Sequence, residues 1–472
     1  MVFSSLIFLY AFLPLSLIVY SLCKGIRAKN IALLVFSLIF YAWGEPVYVL
    51  LLMFMALCSW FCALRVEYSE TEKAAKLWVA VSVVIDLVLI GFFKYAGMFF
   101  SLFGEIPDFV SRIALPIGIS FYTFQLMTYV IDVYREDAEA RESYLDVLLY
   151  AALFHQCIAG PIVRFKTISR ELYVKRNTRD LLPGIARFAV GLAKKTLLAN
   201  PCGALADSIL LTEGSLAGMT VLASWLGALA YTLQIYLDFS AYSDMAIGMG
   251  KMIGLHYMEN FKYPYISGSV TEFWRRWHIS LSTFFRDYVY IPLGGNRCST
   301  PRMLFNMFVV WALTGLWHGA SWNFVAWGLY YYIFLVMEKL FLKKALDKTK
   351  IISHIYLLLV VMFGWILFYY TDIRDAFTVV KNMFGANGNA LSDFSSLTFL
   401  RNNYMLIAVS CICSTPLLKI LAEKAGDALC TNKAGAALWD VLSYMLVPIL
   451  FLILSTASLV GDSYNPFIYF RF

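Results

Sequence analysis

A histidine in apolar sequence is the first candidate for chemistry, because imidazole is the side chain whose ordinary pKa suits proton transfer near neutral pH. His318 lies in an apolar run of 35 residues that contains no Asp, Glu, Lys or Arg. Gly315 and Gly319 flank it and let backbone or a substrate approach closely, and Ser321 and Asn323 offer hydrogen-bond partners. We interpret His318 as the centre of the chemistry. A histidine that packs against a neighbouring helix is the structural alternative.

A second histidine, His278, stands beside two arginines in the segment 273–282. The structural interpretation is an amphipathic helix at a membrane surface, with the Arg275 and Arg276 side chains extending toward water. The same guanidinium pair suits a phosphate-bearing donor such as coenzyme A. A nucleotide loop has no support elsewhere, because 293–296 has neither a preceding strand nor the Lys-Ser/Thr ending of such loops.

The remaining ionisable candidates are weaker. Asp238 and Asp244 are six residues apart, which places them on different faces of a helix, so we interpret them as anchors of a polar segment and not as an acid/base pair. His155 lies inside a candidate span and either lines the same cavity or packs. His256 and His354 lie near the ends of predicted elements, where a surface or packing role is expected.

Known hydrolase motifs and metal sites are not indicated. The sequence contains no G-x-S-x-G and no H-E-x-x-H. Its nine cysteines include two close pairs, Cys58/Cys62 and Cys411/Cys413, but neither pair has an adjacent histidine or carboxylate to complete a metal site. We therefore expect no bound metal and interpret most cysteines as small apolar side chains.

The elements that position these residues are predicted by composition. The chain is 61% hydrophobic and 15% charged, with a mean hydropathy of +0.70, whereas soluble domains carry roughly 25% charged residues. A helix needs about 20 mostly apolar residues to cross a bilayer. Long continuous runs favour helices over the alternating strands of a barrel. Uncharged runs occupy 1–23, 46–64, 113–131, 214–237, 303–337, 351–371, 402–418 and 441–461.

Four shorter or more polar candidates lie at 31–43, 77–93, 147–163 and 182–198. The sequence thus predicts an all-α polytopic membrane protein with about eleven or twelve membrane elements. The run 303–337 is long enough for two spans joined near 315–319, or for a broken pair of helices. No internal repeat or soluble module is recognisable, so we expect a single membrane domain over 1–472.

Polar and ionisable residues concentrate between about 115 and 323. Within this block, 238–302 combines charges with many aromatic residues, which favours interfacial or re-entrant helices that build a cavity or its floor. The basic residues that follow the first run predict an N-terminus outside the cell, and the basic loops 164–179 and 339–350 predict cytoplasmic faces. The net charge of +7 is thus an orientation signal and not a nucleic-acid footprint.

Taken together, these motifs resemble the membrane-bound O-acyltransferase (MBOAT) family, and within it the bacterial alginate O-acetylation (AlgI-like) subfamily. The last three matching blocks are the most specific in combination. The resemblance runs nearly from end to end and is carried by 3–14, 40–46, 115–125, 158–164, 236–244, 273–282, 286–296 and 313–323.

The resemblance implies a ring of tilted helices around a central tunnel, in the cytoplasmic membrane of a bacterium. The nearly invariant histidine of the family falls on His318, and a second characteristic polar position falls on His278. The implied reaction moves an acyl group, usually acetyl, from a cytoplasmic donor toward an extracytoplasmic glycan. A separate partner of the SGNH esterase-like type commonly completes the transfer. No cofactor is expected to stay bound, and acetyl-CoA is the expected donor.

Further residues are expected to bind the donor or line the tunnel: Arg275, Arg276, Trp274, Trp317, Asn323, Gln125 and Asp238. Two positions depart from the family pattern. Relatives commonly have proline at the position of His155 and histidine at that of Tyr331, which puts a close equivalence of acceptor or partner in doubt. D-alanyl transfer to teichoic acid within the family, and transport without covalent change, are the competing functions.

Overall fold

The computed structural model of the protein describes residues 2–157, 160–174, 176, 179–210, 216–461 and 464, and within these residues the chain is helical, with no β-strand. The predicted all-α class is thus confirmed. Parts of the predicted runs 147–163 and 214–237 and of the basic loop 164–179 lie outside the described residues.

Ten α-helices lie in the described part of the chain up to residue 193. Two π-helical segments, Phe8–Phe12 and Gly91–Tyr95, extend the first and fourth of them. The α-helices are α1 Leu13–Leu22, α2 Ile26–Gly44, α3 Tyr48–Glu67, α4 Glu72–Ile90, α5 Ala96–Ser101, α6 Asp108–Ser111, α7 Ile119–Tyr134, α8 Tyr144–Ala152, α9 Phe165–Tyr173 and α10 Leu181–Ala193.

The rest of the described chain continues with helices that differ widely in length. They are α11 Asn200–Leu210, α12 Val221–Met252, α13 Val270–Arg276, α14 Ile279–Phe285, α15 Thr300–His318, α16 Trp322–Met337, α17 Lys343–Leu346, α18 Lys350–Tyr369, α19 Ile373–Met383, α20 Phe394–Cys413, α21 Leu417–Leu429, α22 Lys433–Val441 and α23 Val447–Gly461. Short π-helical segments lie at Lys194–Ala199, Arg286–Tyr290, Glu338–Leu342 and Leu442–Leu446, and 3-10 turns at Leu216–Gly218 and Pro264–Ile266.

Six helices of the described chain are long and apolar enough to cross a membrane, or seven if the pair α20 and α21, bent by 64°, is one span. The predicted count of eleven or twelve is not confirmed. One reason is that apolar runs do not all form long helices. Among its described residues, the run 147–163 contributes α8, which ends at Ala152. Nine residues rise about 14 Å, roughly half of the hydrocarbon thickness.

The first residues of the segment 238–302 have a different structure from the one predicted. We expected 238–302 to form interfacial or re-entrant elements from its first residue, but α12 continues without a break from Val221 to Met252. Asp238 and Asp244 therefore lie within a 32-residue helix and not after its end. Both carboxylates are paired with basic side chains, Asp244 with Arg187 at 2.5 Å, so the helix continues despite its charges. Within 238–302, the short helices begin only after Met252.

Two compact units divide the chain: Met1–Phe188 with Tyr242–Met258, and Ala189–Ala241 with Glu259–Phe472. Each has its own buried apolar cluster. In the second unit this cluster is rich in large aromatic side chains such as Trp277, Trp327 and Trp365. The prediction of one membrane domain is not tested by this division and stays a prediction. His278 and His318 both belong to the second unit.

The hairpin of α15 and α16 confirms that the 35-residue run forms two helices, with the break at residues 319–321. Glycine is required at their contact. A Cβ atom at Gly315 would collide with the carbonyl oxygen of Phe324, and one at Gly328 would collide with that of Trp311. The two backbones therefore approach closely, as small residues permit between membrane helices, and His318 is placed at the turn.

Candidate functional site

His318 is the last residue of α15 and is buried among aromatic rings. Its ring centroid lies 4.9 Å from that of Trp327, 5.0 Å from that of Trp317 and 5.2 Å from that of Phe368, each in an edge-on arrangement. The break after His318 ends the helix with Gly319 in an extended conformation. The imidazole is thus fixed by packing at the point where the backbone leaves the helix.

His278 lies between α13 and α14 and has an unusual backbone conformation. Its φ of 44° and ψ of 55° are left-handed, which non-glycine residues rarely adopt and which cluster at functional sites. Its Nδ1 accepts a hydrogen bond of 3.3 Å from the Leu281 backbone N–H, so the side chain also caps α14. A neutral ring that accepts at Nδ1 carries its proton on Nε2.

One indole joins the two histidines. The ring centroid of Trp317 is 5.7 Å from that of His278 and 5.0 Å from that of His318, and both contacts are edge-on. The structure therefore brings together the two residues that the sequence separated by 40 positions. Each imidazole contacts the Trp317 indole, so both histidines lie close to one aromatic side chain.

Polar atoms of the surrounding helices are buried without hydrogen bonds inside the described part of the chain. They are the side-chain amide of Asn323, the indole N–H groups of Trp274 and Trp327, and the hydroxyl of Tyr331. Asn323, Trp327 and Tyr331 recur every four residues on α16 and share one face. The Trp274 ring packs edge-on at 5.6 Å from Trp327 and 5.0 Å from Tyr331. Since buried polar groups nearly always have partners, these atoms can hold the polar parts of a ligand.

Asp238 forms a buried ion pair that the sequence did not predict. Lys195 Nζ lies 2.7 Å from Asp238 Oδ1, and both side chains are almost completely buried. Lys195 belongs to a π-helical segment, and such segments are frequent at functional sites. The pair agrees with the anchoring interpretation of Asp238. The signal for Lys195 was a lysine inside a predicted span, which is costly unless it is paired.

The two arginines before His278 differ in their surroundings. Arg276 is held by Glu272, with a hydrogen bond of 2.9 Å from Nε to Oε1, and it also donates to the carbonyl of Lys262 at 3.2 Å. Arg275 is exposed. The two arginines therefore differ: Arg276 is held by Glu272, and Arg275 is the more exposed of the two.

Two predicted residues belong to the first unit. The side-chain amide of Gln125 on α7 is buried and makes no hydrogen bond within the described residues. His155 is completely buried, and its Nδ1 lies 3.3 Å from the hydroxyl of Tyr257. Their assignment to the tunnel stays a prediction. In the described chain, no group of three His, Cys, Asp or Glu side chains could hold a metal.

The two remaining histidines have ordinary roles. His354 contacts the carbonyl oxygens of Lys350 and Ile266 at the surface. His256 is half-exposed and bridges two carboxylates, with Nδ1 2.7 Å from Glu171 Oε1 and Nε2 2.8 Å from Asp180 Oδ2. The sequence predicted a surface or packing role for His256 but not these partners, which are far away in the chain.

The His256 bridge predicts a pH-dependent stability. Hydrogen bonds with Asp180 and then with Glu171 raise the pKa of His256 above its ordinary value. Its stabilisation is therefore complete below about pH 6.5 and is lost as pH rises through the folded-state pKa. We expect wild type to melt above His256→Gln at about pH 6 and the difference to shrink toward about pH 9. Thermal unfolding in detergent measures this, and because the groups are partly exposed the effect is small.

The control for this prediction is Glu171→Gln, which keeps the histidine and removes one of its carboxylates. This variant should show a weaker dependence of melting temperature on pH than wild type. A constant difference between wild type and His256→Gln across the pH range would contradict the prediction.

Several known proteins resemble this chain, over stretches that range from about half of the chain to its full length. A family model described as MBOAT, membrane-bound O-acyltransferase family, matches residues 34–374. The "Probable alginate O-acetylase AlgI" of Pseudomonas aeruginosa is 37% identical over the full length of both chains. The "Peptidoglycan O-acetyltransferase" of Helicobacter pylori is 31% identical over 84% of this chain and 82% of its own. The "Teichoic acid D-alanyltransferase" of Bacillus subtilis is 28% identical over 48% of this chain and 60% of its own.

Proposed function

Because the chain belongs to the membrane-bound O-acyltransferase family, we propose that it transfers an acetyl group from cytoplasmic acetyl-CoA toward a hydroxyl group of an extracytoplasmic glycan. In the overall reaction the thioester C–S bond breaks and an ester C–O bond forms. The hydroxyl proton ends on the sulfur of coenzyme A. The full-length likeness to a protein named as an alginate O-acetylase favours acetyl over D-alanyl, whose named relative matches only about half of the chain.

The observation that carries this proposal is the pair of histidines on one indole. His318 accepts the proton of the attacking hydroxyl, or carries the acyl group itself before passing it on. His278, with its proton on Nε2, orients the donor or shares that proton. The aromatic surroundings exclude water, which protects an acyl intermediate from hydrolysis.

The cellular location of the protein, its acceptor and its partner protein are also part of the proposal. The six or seven membrane-capable helices make the chain multi-pass, and we place it in the cytoplasmic membrane of a bacterium. Relatives are named for alginate and for peptidoglycan, so an exopolysaccharide or a cell-wall glycan is the acceptor class. A separate SGNH-type protein outside the membrane completes the transfer in this proposal.

Acetyl-CoA labelled in the acetyl group tests the proposal. Protein purified into liposomes receives this donor on one side and an acceptor glycan, with or without an SGNH-type partner, on the other. We expect release of free coenzyme A and labelled ester on the acceptor side. Label that crosses while the thioester stays intact would support transport instead. Activity only with D-alanine on a carrier protein would support the D-alanylating alternative.

Because Arg275 and Arg276 have different surroundings, we expect their substitution to change the affinity for acetyl-CoA to different extents. Arg275 is free to extend toward phosphates, whereas Arg276 is held by Glu272. We expect Arg275→Ala to raise the KM for acetyl-CoA about threefold to fivefold, since an exposed charge pair contributes up to about 1 kcal/mol, and Arg276→Ala to raise it less. Initial rates against donor concentration measure this.

A donor without phosphates is the control for the arginine prediction. The acetyl thioester of N-acetylcysteamine keeps the reacting bond but lacks the charges. Its KM should be the same for wild type and for Arg275→Ala. An equal change in KM for both donors would mean that Arg275 acts through local structure and not through phosphate binding.

A further inference from the structure

A buried carboxylate outside the predicted site holds the start of α13. Glu338 follows α16 directly, in a π-helical segment, and is almost completely buried. Its Oε1 accepts a hydrogen bond of 2.6 Å from the Val270 N–H. Its Oε2 accepts one of 2.8 Å from the Thr271 N–H and one of 2.6 Å from the Thr271 hydroxyl. All three donors belong to the first two residues of one helix.

The hydrogen bonds to Glu338 are of a strong type. A carboxylate accepts shorter and stronger hydrogen bonds than a neutral oxygen, and the first N–H groups of a helix have no partner within it. Ser269 caps the same helix by accepting from the Glu272 N–H at 3.1 Å. Serine capping alone satisfies one amide, so Glu338 supplies acceptors for two more and connects α13 to a distant part of the chain.

The helix that Glu338 holds carries one side of the candidate site. Trp274 lies in the last turn of α13, and its ring contacts Trp327 and Tyr331. His278 follows two residues after the end of the helix. A shift at the start of α13 therefore moves the indole of Trp274 and the backbone that sets His278.

The helix that precedes Glu338 carries the other side. Trp327 on α16 packs edge-on against His318 at 4.9 Å, and Asn323 lies one turn earlier on the same face. Glu338 thus forms a direct polar connection between the element that leads to His278 and the element that packs on His318. Its contacts lie 67 and 68 residues away in the chain.

We propose that Glu338 is a positioning residue for acyl transfer, which sets the distance and orientation of His278 and Trp274 relative to His318 by fixing the start of α13 to the end of α16. It touches neither donor nor acceptor. The inference rests on the proposed function for its activity readout, but the contact itself can be tested without it.

The first test is Glu338→Gln, which keeps the shape of the side chain and removes its charge and one acceptor oxygen. We expect kcat per folded molecule to fall about tenfold to a hundredfold, since small misplacements of reacting groups cost about that much. The KM for acetyl-CoA should change less than about twofold, because exposed Arg275 keeps its access to the donor. A merely structural role would lower the folded fraction and leave kcat per folded molecule unchanged, which would overturn the inference.

Two further variants keep the test decisive. Glu423→Gln is the matched control, because Glu423 pairs with Lys419 at the exposed surface of α21, and it should leave kcat unchanged. Thr271→Val removes one of the three bonds without changing side-chain shape. It should lower kcat about twofold to fivefold and decides the question if Glu338→Gln does not fold.

Hydrogen exchange separates this inference from the proposed function. In Glu338→Gln, the amides of Val270 and Thr271 should exchange faster than in wild type, whichever acyl donor the protein uses. Wild-type protein that does not cleave acetyl-CoA would contradict the proposed function only. Unchanged exchange at these two amides, or full kcat in Glu338→Gln beside active wild type, would contradict the role of Glu338.

Discussion

His318→Ala should lower acetyl transfer by about 10²- to 10⁴-fold, the range that a positioned general acid or base contributes, while the protein stays folded and inserted. The reason is that His318 is held in edge-on contact with Trp317 and Trp327, where its imidazole can accept the proton of a hydroxyl or carry the acyl group. Release of coenzyme A and formation of labelled ester measure the loss. Elution from a sizing column and the melting temperature in detergent report the fold.

The matched control is His354→Ala, because His354 belongs to the same unit and its ring contacts two backbone carbonyl oxygens at the surface. It should keep wild-type turnover. Acetyl transfer at the wild-type rate by folded His318→Ala would exclude both roles proposed for this residue. A stable acetylated protein that forms in wild type and not in His318→Ala would favour the acyl-carrier role over the general-base role.

Lys195→Ala should destabilise the protein by about 3–5 kcal/mol, because it leaves the Asp238 carboxylate buried without the charge that faces it at 2.7 Å. Both side chains are almost completely buried, so water does not replace the lost lysine. Equilibrium unfolding in mixed micelles measures the change in the free energy of unfolding. Replacing the pair by apolar residues, as in Lys195→Met with Asp238→Leu, should recover most of the stability.

An exposed pair of the same type supplies the comparison. Lys419 and Glu423 lie 3.7 Å apart, and each side chain is 62% exposed. Lys419→Ala should therefore cost at most about 1 kcal/mol. Equal losses for Lys195→Ala and Lys419→Ala would mean that burial does not determine the effect, and would refute the prediction.

Apolar run length predicted most helices, because a bilayer sets the length of its spans. The run 351–371 corresponds to α18, and the run 441–461 corresponds to the π-helical segment Leu442–Leu446 with α23. The run 303–337 forms two helices as expected. The error at α12 has a physical cause. Charged residues predict an interruption, yet a buried ion pair lets a helix continue through them, and partners distant in the chain are invisible to a local pattern.

The same limit applies to the candidate site. His318 was a candidate because an isolated imidazole in apolar sequence is costly. His278 became one through the family resemblance, since its local sequence also fits an amphipathic helix at a membrane surface. The local sequence gave no indication of a role for Glu338. Because Glu338 stands beside Lys339 at the beginning of a basic segment, its sequence predicts an exposed side chain. Only the folded chain brings its oxygens to the start of α13. A local pattern can thus propose candidate residues, whereas contacts between residues far apart in the chain appear only in the structure.

The left-handed backbone of His278 determines which substitutions are informative there. Alanine would remove the imidazole, the cap on Leu281 and a side chain that tolerates positive φ, so an alanine scan would merge three effects in one number. Asparagine adopts this conformation more readily than most residues and is a good helix cap. The variant His278→Asn would therefore isolate the chemical contribution of the ring. In His278→Ala, a loss of activity caused by backbone strain would be mistaken for a loss of catalysis.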